Sequence, residues 1–324
     1  MKVLILRFSS IGDIVLTTPV IRCLKKQIGA EIHYLTKAQY APVLEPNPYI
    51  DKVYSFQKDP GEVLPALGKE RYDRLIDLHK NLRSLRIKRA LGWPGSTFDK
   101  LNIEKWLLVN TGINLLPHVH IVDRYMQAVR KLGVDNDGEG LDYFIPPDQE
   151  VDLQQHSELL TAGNYTAFVL GATHATKRLP PLKAAEICRK MDQPVALLGG
   201  KQEEATAKAI VGANVVNLCG RLTLHQSASV VRQSAVVLTH DTGLMHIAAA
   251  FRKPIVSVWG NTVPEFGMYP YYPTGTDKNT SVEVKGLSCR PCSKIGFEKC
   301  PKKHFRCMLD IPDQSIVDAL HLPK

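Results

Sequence analysis

Short apolar runs alternate with amphipathic segments along the whole chain. The first run, residues 2–8 (KVLILRF), predicts a β-strand, and apolar residues at helical spacing follow it between Ile14 and Leu24. A strand, a tight turn and a helix make the opening unit of an α/β domain. Further strands are predicted at 31–35, 51–55 and 72–77, and further helices near 61–69, 81–91 and 120–132. This alternation indicates a mostly parallel sheet covered by helices on both faces.

The α/β pattern is interrupted once and then starts again. Residues 133–150 are rich in Gly, Asp and Pro, and the pattern resumes at Thr166. Strands are then predicted at 166–170, 194–199, 215–218, 235–239 and 254–258, and helices near 181–191, 202–211, 223–232 and 243–251. We therefore predict two doubly wound domains, residues 1–150 and residues 151–324.

Composition narrows the class of protein. The 324 residues are 44% hydrophobic and 23% charged, as in ordinary globular proteins, and the formal net charge is +9. No apolar run approaches the roughly 18 residues of a membrane-spanning helix, so we expect a soluble, cytoplasmic protein. The positive charge favours an anionic partner, which nucleic acid, a membrane surface or a phosphorylated substrate would all satisfy.

Ligands of parallel sheets bind beyond the carboxyl ends of the strands, so the loops that leave those ends are of most interest. The first such loop, Ser9–Asp13, places Gly12 in a tight turn and the Asp13 carboxylate at a helix N-terminus. That carboxylate is either a general base or a partner of the helix dipole. A positive helix end lowers a carboxylate pKa, which weakens the group as a base.

Two later loops carry residues suited to an anion. The loop 170–181 joins small and hydroxyl residues to Lys177 and a proline-initiated helix, which suits either a diphosphate or an ordinary polar loop. The segment 236–250 runs from a buried type of strand through Asp241-Thr242-Gly243 into a helix of small residues. Free backbone N–H groups at that helix start would bind an anion, and His246 follows one turn later.

These motifs together resemble glycosyltransferase family 9, the bacterial heptosyltransferases of the lipopolysaccharide inner core. The resemblance covers nearly the whole chain. It rests on Ser-Ile-Gly-Asp after the first strand, Lys177 before a proline-initiated helix, residues 220–224 (GRLTL), and Asp241-Thr242-Gly243-x-x-His246 with Pro254 and Gly260 beyond it. The resemblance implies a GT-B fold of two Rossmann-like domains facing across a cleft, with the acceptor on the first and the nucleotide-sugar on the second. It also implies inverting transfer from ADP-heptose without a catalytic metal.

The resemblance also implies roles for individual residues. Asp13 corresponds to the family's proposed general base and Lys177 to its diphosphate-binding lysine. Donor-binding roles are implied for Thr173, Glu203, Asp241, Thr242, Gly243, Leu244 and His246. The chain departs from the family pattern at Leu179, where an aromatic residue is common, and at His174, where the family commonly has a small or hydroxyl residue.

The acceptor is expected to bind the first domain. Ser10 and Gly12 are predicted to contact it, together with Arg83 and Arg86, which belong to a basic segment, residues 80–90, that contains no acidic residue. Arginine binds carboxylates and phosphates bidentately, and residues three apart on a helix share a face. The expected partners are therefore an ADP-heptose-like donor and an anionic lipopolysaccharide-core acceptor, with peripheral contact to the inner membrane.

Four of the seven cysteines form a cluster in the sequence, Cys289, Cys292, Cys300 and Cys307. A reducing cytoplasm disfavours disulfides, and four thiolates would make a tetrahedral structural zinc site, although the second pair lacks the usual spacing. Structural zinc, disulfides and free thiols therefore stay open as alternatives. No cofactor is expected to be required for catalysis.

Two other functions are compatible with parts of the sequence. One is a GT-B enzyme that uses another nucleotide-sugar, either a different glycosyltransferase or an epimerase. The other is a basic nucleic-acid-binding protein that uses residues 80–89 and 289–307. Nucleic-acid binding leaves Asp13 and the loop 241–246 without a role.

Overall fold

Parallel strands form two separate sheets in the computed structural model, which describes residues 1–321. The chain divides into two compact units. The first unit contains Met1–Lys100 and Val119–Phe144, and the second contains Leu101–His118 and the chain from Ile145 onward. Among residues 1–321, no helix is both long enough and apolar enough to cross a bilayer.

The first unit holds a five-stranded sheet. Its strands and helices are β1 (Lys2–Leu6), α1 (Ile11–Val15), α2 (Thr18–Ile28), β2 (Glu31–Lys37), β3 (Lys52–Phe56), α3 (Leu64–Leu67), β4 (Arg74–Asp77), α4 (Leu82–Leu91), β5 (Gly95–Thr97) and α6 (Ile121–Gln127). The strand order is β3-β2-β1-β4-β5, and every neighbouring pair is parallel. Strand β1 lies in the middle and its residues 3–6 are fully buried, which explains its continuous apolar run.

The second unit holds a six-stranded sheet in the order β11-β10-β9-β6-β7-β8, also parallel throughout. Its strands and helices are α5 (Asn102–Thr111), β6 (Thr166–Val169), α7 (Pro181–Arg189), β7 (Val195–Leu198), α8 (Glu204–Lys208), β8 (Val215–Asn217), α9 (Leu224–Gln233), β9 (Val236–His240), α10 (Gly243–Ala250), β10 (Ile255–Trp259), β11 (Asn279–Glu283), α11 (Arg306–Leu309) and α12 (Asp313–His321). The sheet has one strand more than the five expected. Strand β11 lies at the sheet edge and is only partly buried, so its sequence has no apolar run.

Helix boundaries follow local signals that the sequence contains. Helix α4 begins after Asn81, whose side chain accepts a hydrogen bond from the Ser84 N–H at 2.9 Å. Helix α2 ends at Gly29, which has a φ of 58°, a left-handed conformation that glycine adopts at little cost. The predicted helix near 61–69 is shorter than expected, because a single 3-10 turn occupies Pro60–Val63 before α3.

The division of the chain differs from the predicted domains 1–150 and 151–324 in two places. The boundary falls after Phe144 rather than after residue 150, and one earlier segment changes unit. Residues 101–118, which include α5, belong to the second unit. Leu101 and Leu116 are buried against Val263 and Phe266 of that unit. The prediction that residues 101–118 belong to the first domain is therefore wrong. The few buried side chains of this segment pack against apolar residues that lie more than a hundred positions later in the chain.

Candidate functional site

Asp13 lies at the carboxyl end of β1, in the first turn of α1. Its Oδ2 accepts hydrogen bonds from the backbone N–H of Ser10 at 3.1 Å and from the Ser10 hydroxyl at 2.9 Å. Its Oδ1 lies 2.6 Å from a terminal nitrogen of Arg7. Gly12 is buried and lies within α1. The prediction of a tight turn at this glycine is therefore wrong, because the residue is helical.

Arg7 is held in place by one neighbouring residue and by two groups from distant parts of the first unit. Its guanidinium donates to the carbonyl oxygens of Ser9 and Leu78 at 2.8 and 2.7 Å and to the Tyr125 hydroxyl at 3.0 Å. Burial opposes the charge on Asp13, but the nearby Arg7 charge and the Ser10 hydrogen bonds outweigh it and lower the pKa of Asp13. Asp13 is therefore an ionised, oriented carboxylate whose side chain keeps 20% of its surface exposed.

His79 belongs to the same end of the sheet and was not singled out from the sequence. It follows β4, is 9% exposed, and packs against Phe8 with ring centroids 4.7 Å apart. Its Nδ1 is buried without a hydrogen-bond partner. Burial, together with the Arg7 charge, lowers the pKa of His79 to about 3, so the ring is neutral near pH 7. A single histidine after a strand gave no signal that distinguished it from a core residue.

Both arginines predicted to bind the acceptor are exposed on α4, but their surroundings differ. Arg86 forms an exposed ion pair with Asp59, at 2.9 Å between NH1 and Oδ2. Arg83 is close enough to His79 for its charge to help lower that pKa. Arg86 therefore has an acidic partner, Asp59, on its own unit, whereas the Arg83 charge acts on the buried His79 ring.

In the second unit, Lys177 and Asp241 form an ion pair at the carboxyl ends of β6 and β9. The Lys177 Nζ and Asp241 Oδ2 atoms are 2.6 Å apart, and each side chain is 14% exposed. The Thr262 hydroxyl donates to the same Asp241 oxygen at 3.0 Å. The sequence predicted both residues as donor contacts, and the fold brings them together although 64 positions separate them.

Glu203 is joined to the Lys177 loop through Arg178. The Arg178 NH1 atom lies 3.1 Å from Glu203 Oε1, and the Arg178 Nε donates to the carbonyl oxygen of Ala172 at 2.8 Å. Glu203 Oε2 accepts from the backbone N–H of Gly200 at 3.0 Å. A Cβ on Gly199 would lie 2.7 Å from the Glu203 Cβ, so a glycine is required for this carboxylate to lie so close to the strand end.

Helix α10 begins at Gly243, directly after Asp241 and Thr242, so the predicted anion loop is the start of a helix. Backbone N–H groups of a first helical turn have no partner within the helix and carry partial positive charge. Leu244 follows in the first turn, whereas His246 is buried. Thr173 is exposed in the neighbouring loop after β6.

His240 stabilises this arrangement and was not predicted from the sequence. Its Nε2 accepts a hydrogen bond from the backbone N–H of Leu179 at 3.0 Å, which ties the Lys177 loop to the end of β9. Burial, with a smaller contribution from the Arg178 charge, lowers the pKa of His240 to about 4. The neutral ring is therefore the acceptor that this hydrogen bond requires.

Cys289, Cys292, Cys300 and Cys307 are free thiols. Burial, assisted by the neighbouring thiols, raises the pKa of Cys292 to about 11 and that of Cys307 to about 12. Within residues 1–321, no group of three or more Cys, His, Asp or Glu side chains is arranged to hold a metal ion. The structural zinc site therefore stays a prediction.

A cavity of about 370 Å³ lies elsewhere in the second unit, beside β11. Its lining includes Leu108, Val263, Glu283 and Arg290, and none of the predicted site residues. The Arg290 guanidinium pairs with Glu283 and donates to the Gly260 and Thr262 carbonyl oxygens, so it has a structural role.

The amino-acid sequence matches one protein family and its members over most of the chain. The family model for glycosyltransferase family 9 (heptosyltransferase) matches residues 62–300. Lipooligosaccharide heptosyltransferase 2 of Haemophilus influenzae is 26% identical over 319 residues, which cover 88% of this chain and 89% of that protein.

Solved structures resemble the chain over most of its length. The structure of Escherichia coli ADP-heptose lipopolysaccharide heptosyltransferase II has a TM-score of 0.73 at 20% identity and covers 99% of this chain and 97% of its own. An E. coli heptosyltransferase solved with ADP-2-deoxy-2-fluoro heptose has a TM-score of 0.66 at 22% identity. The match covers 90% of this chain and 96% of that protein. The predicted fold class, GT-B with two Rossmann-like α/β domains, is confirmed by these likenesses and by the two parallel sheets.

Proposed function

Because the chain belongs to glycosyltransferase family 9 and is therefore a glycosyltransferase, we propose that it transfers a heptose from ADP-heptose to the inner core of lipopolysaccharide. The observation that carries this proposal is the meeting of Lys177, Asp241 and the start of α10 at one edge of the second sheet. A lysine beside a helix N-terminus is suited to a diphosphate. The heptosyltransferase solved with an ADP-heptose analogue supports the choice of donor.

The reaction we propose is a single inverting displacement. An acceptor hydroxyl oxygen forms a bond to the anomeric carbon while the bond from that carbon to the phosphate oxygen breaks. The electron pair of the broken bond leaves with the ADP diphosphate, and the hydroxyl proton passes to Asp13. The lowered pKa makes Asp13 a weak base, so its contribution depends on its orientation toward the acceptor hydroxyl.

Stabilisation of the departing diphosphate is assigned to groups of the second unit. The Lys177 ammonium supplies a fixed positive charge, and the N–H groups at the start of α10 supply hydrogen-bond donors. In this proposal no metal ion takes part in the transfer. We propose that Glu203, which contacts Arg178 and the Gly200 N–H, binds a neutral part of the donor through its carboxylate.

The acceptor is proposed to be anionic and to bind the first unit. We propose that the exposed Arg83 binds one of its carboxylates or phosphates and that Ser10, which is hydrogen-bonded to Asp13, contacts the acceptor as well. Such an acceptor is anchored in lipid, so the enzyme is proposed to work at the cytoplasmic face of the inner membrane.

Calorimetric titration with ADP, UDP and GDP, without added divalent metal, tests the donor site. We expect selective binding of ADP that Lys177→Met weakens by about 10- to 100-fold, because a charge-assisted contact to phosphate is lost. Lys208→Met is the matched control, since Lys208 is an exposed lysine of α8 in the same unit. A preference for UDP or GDP would indicate another nucleotide-sugar enzyme, and no nucleotide binding would contradict the proposal.

Transfer is then measured with ADP-heptose and a lipopolysaccharide-core acceptor. We expect an anomerically inverted product that forms in the presence of excess chelator. Retention of configuration, or strict dependence on a divalent metal, would contradict the mechanism while leaving the family membership intact.

A further inference from the structure

Six exposed, large apolar side chains are concentrated in two short segments of the second unit. Thirteen such side chains are exposed in the part of the chain that the structure describes. Those in the two segments are Ile103 (73% exposed), Trp106 (54%), Ile113 (53%), Leu115 (61%), Ile295 (63%) and Phe297 (39%). Isolated exposed apolar residues are normal in proteins, whereas a concentration of this kind marks an interaction surface.

The two segments are linked directly. The Lys294 Nζ donates to the carbonyl oxygen of Asn102, in the first turn of α5, at 3.0 Å. The start of segment 294–303 therefore contacts the start of α5, and we call residues 103–115 and 294–303 together the α5 surface. No residue of α5 is fully buried, and Ile103 and Trp106, three positions apart, share its exposed face.

The opposite face of α5 holds the helix in place. Leu108 and Val109 pack on the small apolar cluster of Leu101, Leu116, Val263 and Phe266. Lys105 lies with its ammonium 5.8 Å from the centre of the Phe266 ring. The exposed apolar side chains are therefore presented by an anchored helix, and the packing that anchors it does not use them.

The second segment of the α5 surface is positively charged, whereas residues 103–115 contain one glutamate and one lysine. Four exposed lysines, Lys294, Lys299, Lys302 and Lys303, lie in the ten residues of the second segment. Glu298 is the one acidic residue of that segment, and it lies 3.4 Å from His174. The segment therefore has a net charge of +3, counted as four lysines minus one glutamate.

We propose that the α5 surface binds an anionic lipid bilayer. Tryptophan and bulky aliphatic side chains enter the boundary between headgroups and acyl chains, and adjacent lysines contact anionic headgroups. The charge selects this occupant, because a second copy of the same surface would bring like charges together. This inference extends the proposed function by locating the membrane contact, but it depends on neither nucleotide nor acceptor binding.

Co-sedimentation with vesicles of phosphatidylcholine containing about 30% phosphatidylglycerol tests the proposal. We expect the wild-type protein to bind, and binding to fall at least about tenfold in the triple variant Ile103→Ser, Trp106→Ser, Leu115→Ser. The matched control is Leu159→Ser, Leu182→Ser, Val211→Ser, which removes three exposed apolar side chains of the same unit that are not part of the α5 surface. Thermal unfolding verifies that each variant is folded.

The roles of the lysine charges and of membrane insertion by Trp106 are tested separately. Reversal of Lys299, Lys302 and Lys303 to Glu, and vesicles of phosphatidylcholine alone, should each weaken binding at least about tenfold. Trp106 fluorescence, taken as wild type minus Trp106→Ser, should shift to shorter wavelength on vesicle addition. Unchanged binding in both sets of variants would overturn the proposal. The proposal would also be overturned if the wild-type protein did not bind vesicles but did self-associate, and the triple variant did not. That result would show that a second copy of the protein binds the α5 surface.

The outcome is independent of the donor titration. Vesicle binding that persists in Lys177→Met, which is expected not to bind ADP well, would support the α5 surface whatever the fate of the proposed reaction. Normal nucleotide binding without vesicle binding would contradict the α5 surface and leave the proposed reaction untouched.

Discussion

The Lys177 ammonium and the Asp241 carboxylate are 2.6 Å apart, and each follows the carboxyl end of a different strand of the second sheet. Thr262 donates to the same Asp241 oxygen and so fixes its position. A bound diphosphate would compete with Asp241 for the lysine. This pair therefore connects the stability of the unliganded protein with its affinity for the donor.

We expect the Lys177–Asp241 pair to contribute measurably to folding. Asp241→Asn should lower the free energy of unfolding by about 1–3 kcal/mol, because a partly buried ammonium loses its carboxylate. In a double-mutant cycle with Lys177→Met, measured by urea denaturation, the coupling should exceed about 0.5 kcal/mol. The exposed pair Arg189–Glu186 is the control and should give a smaller coupling. Equal couplings would contradict a special role for the buried pair.

Asp13→Asn should abolish most of the activity while leaving the donor site intact. We expect kcat to fall by about 100- to 10,000-fold, the range for loss of a general base, with the ADP affinity changed less than about twofold. Steady-state kinetics and calorimetry measure the two quantities. Asp59→Asn, which removes an exposed carboxylate of the same unit, is the control. If kcat fell by less than about tenfold, Asp13 would not be the general base and would serve only as a partner of the helix dipole.

The acid limb of the pH–rate profile should depend on Arg7. The pKa of Asp13 lies below its ordinary value, so the wild type keeps this carboxylate ionised as the pH falls toward about 4. Arg7→Gln removes the nearby positive charge, and the pKa of Asp13 should rise. The acid limb of kcat/KM should then move to higher pH. An unmoved limb would mean that another group, not Asp13, controls it.

His79 should make the protein less stable in acid. Its pKa falls from about 6.5 when unfolded to about 3 when folded, so the unfolded chain takes up a proton first as the pH decreases. The stability from this residue is complete above pH 6.5 and is lost as the pH falls toward 3, by at most about 1.4 kcal/mol per pH unit. Urea denaturation at several pH values should show a shallower dependence in His79→Gln. A slope equal to the wild type would refute the assignment.

The two arginines of α4 should differ in their effect on the acceptor. Arg83→Ala should raise the acceptor KM about tenfold, since one charge-assisted contact is lost, and should leave the ADP affinity unchanged. Arg86→Ala should change the acceptor KM less than about threefold, because its guanidinium is already bound to Asp59. Initial rates at varied acceptor concentration measure both. Equal effects of the two substitutions, or a parallel loss of ADP affinity, would exclude this acceptor contact.

The buried strands and the loops that follow them could be predicted from the sequence. Residues 3–6 of β1 and 195–198 of β7 are fully buried in parallel sheets, so they form continuous apolar runs that local pattern identifies. The ends of such strands in turn locate Asp13, Lys177 and Asp241 at the carboxyl edges of the sheets, because chain direction is the same in every parallel strand. These features depend on residues that are close together in the chain.

Only the tertiary structure showed which polar and charged side chains contact each other. It also showed how strand β11 and residues 101–118 are packed. Lys177 pairs with a carboxylate 64 positions away, and Arg7 reaches the Tyr125 hydroxyl 118 positions away. Strand β11 is a half-buried edge strand without an apolar run, and residues 101–118 belong to the second unit because their few buried side chains pack there. Local hydrophobic periodicity reports how a segment is buried, whereas the partner that buries or neutralises it is set by contacts between distant parts of the chain.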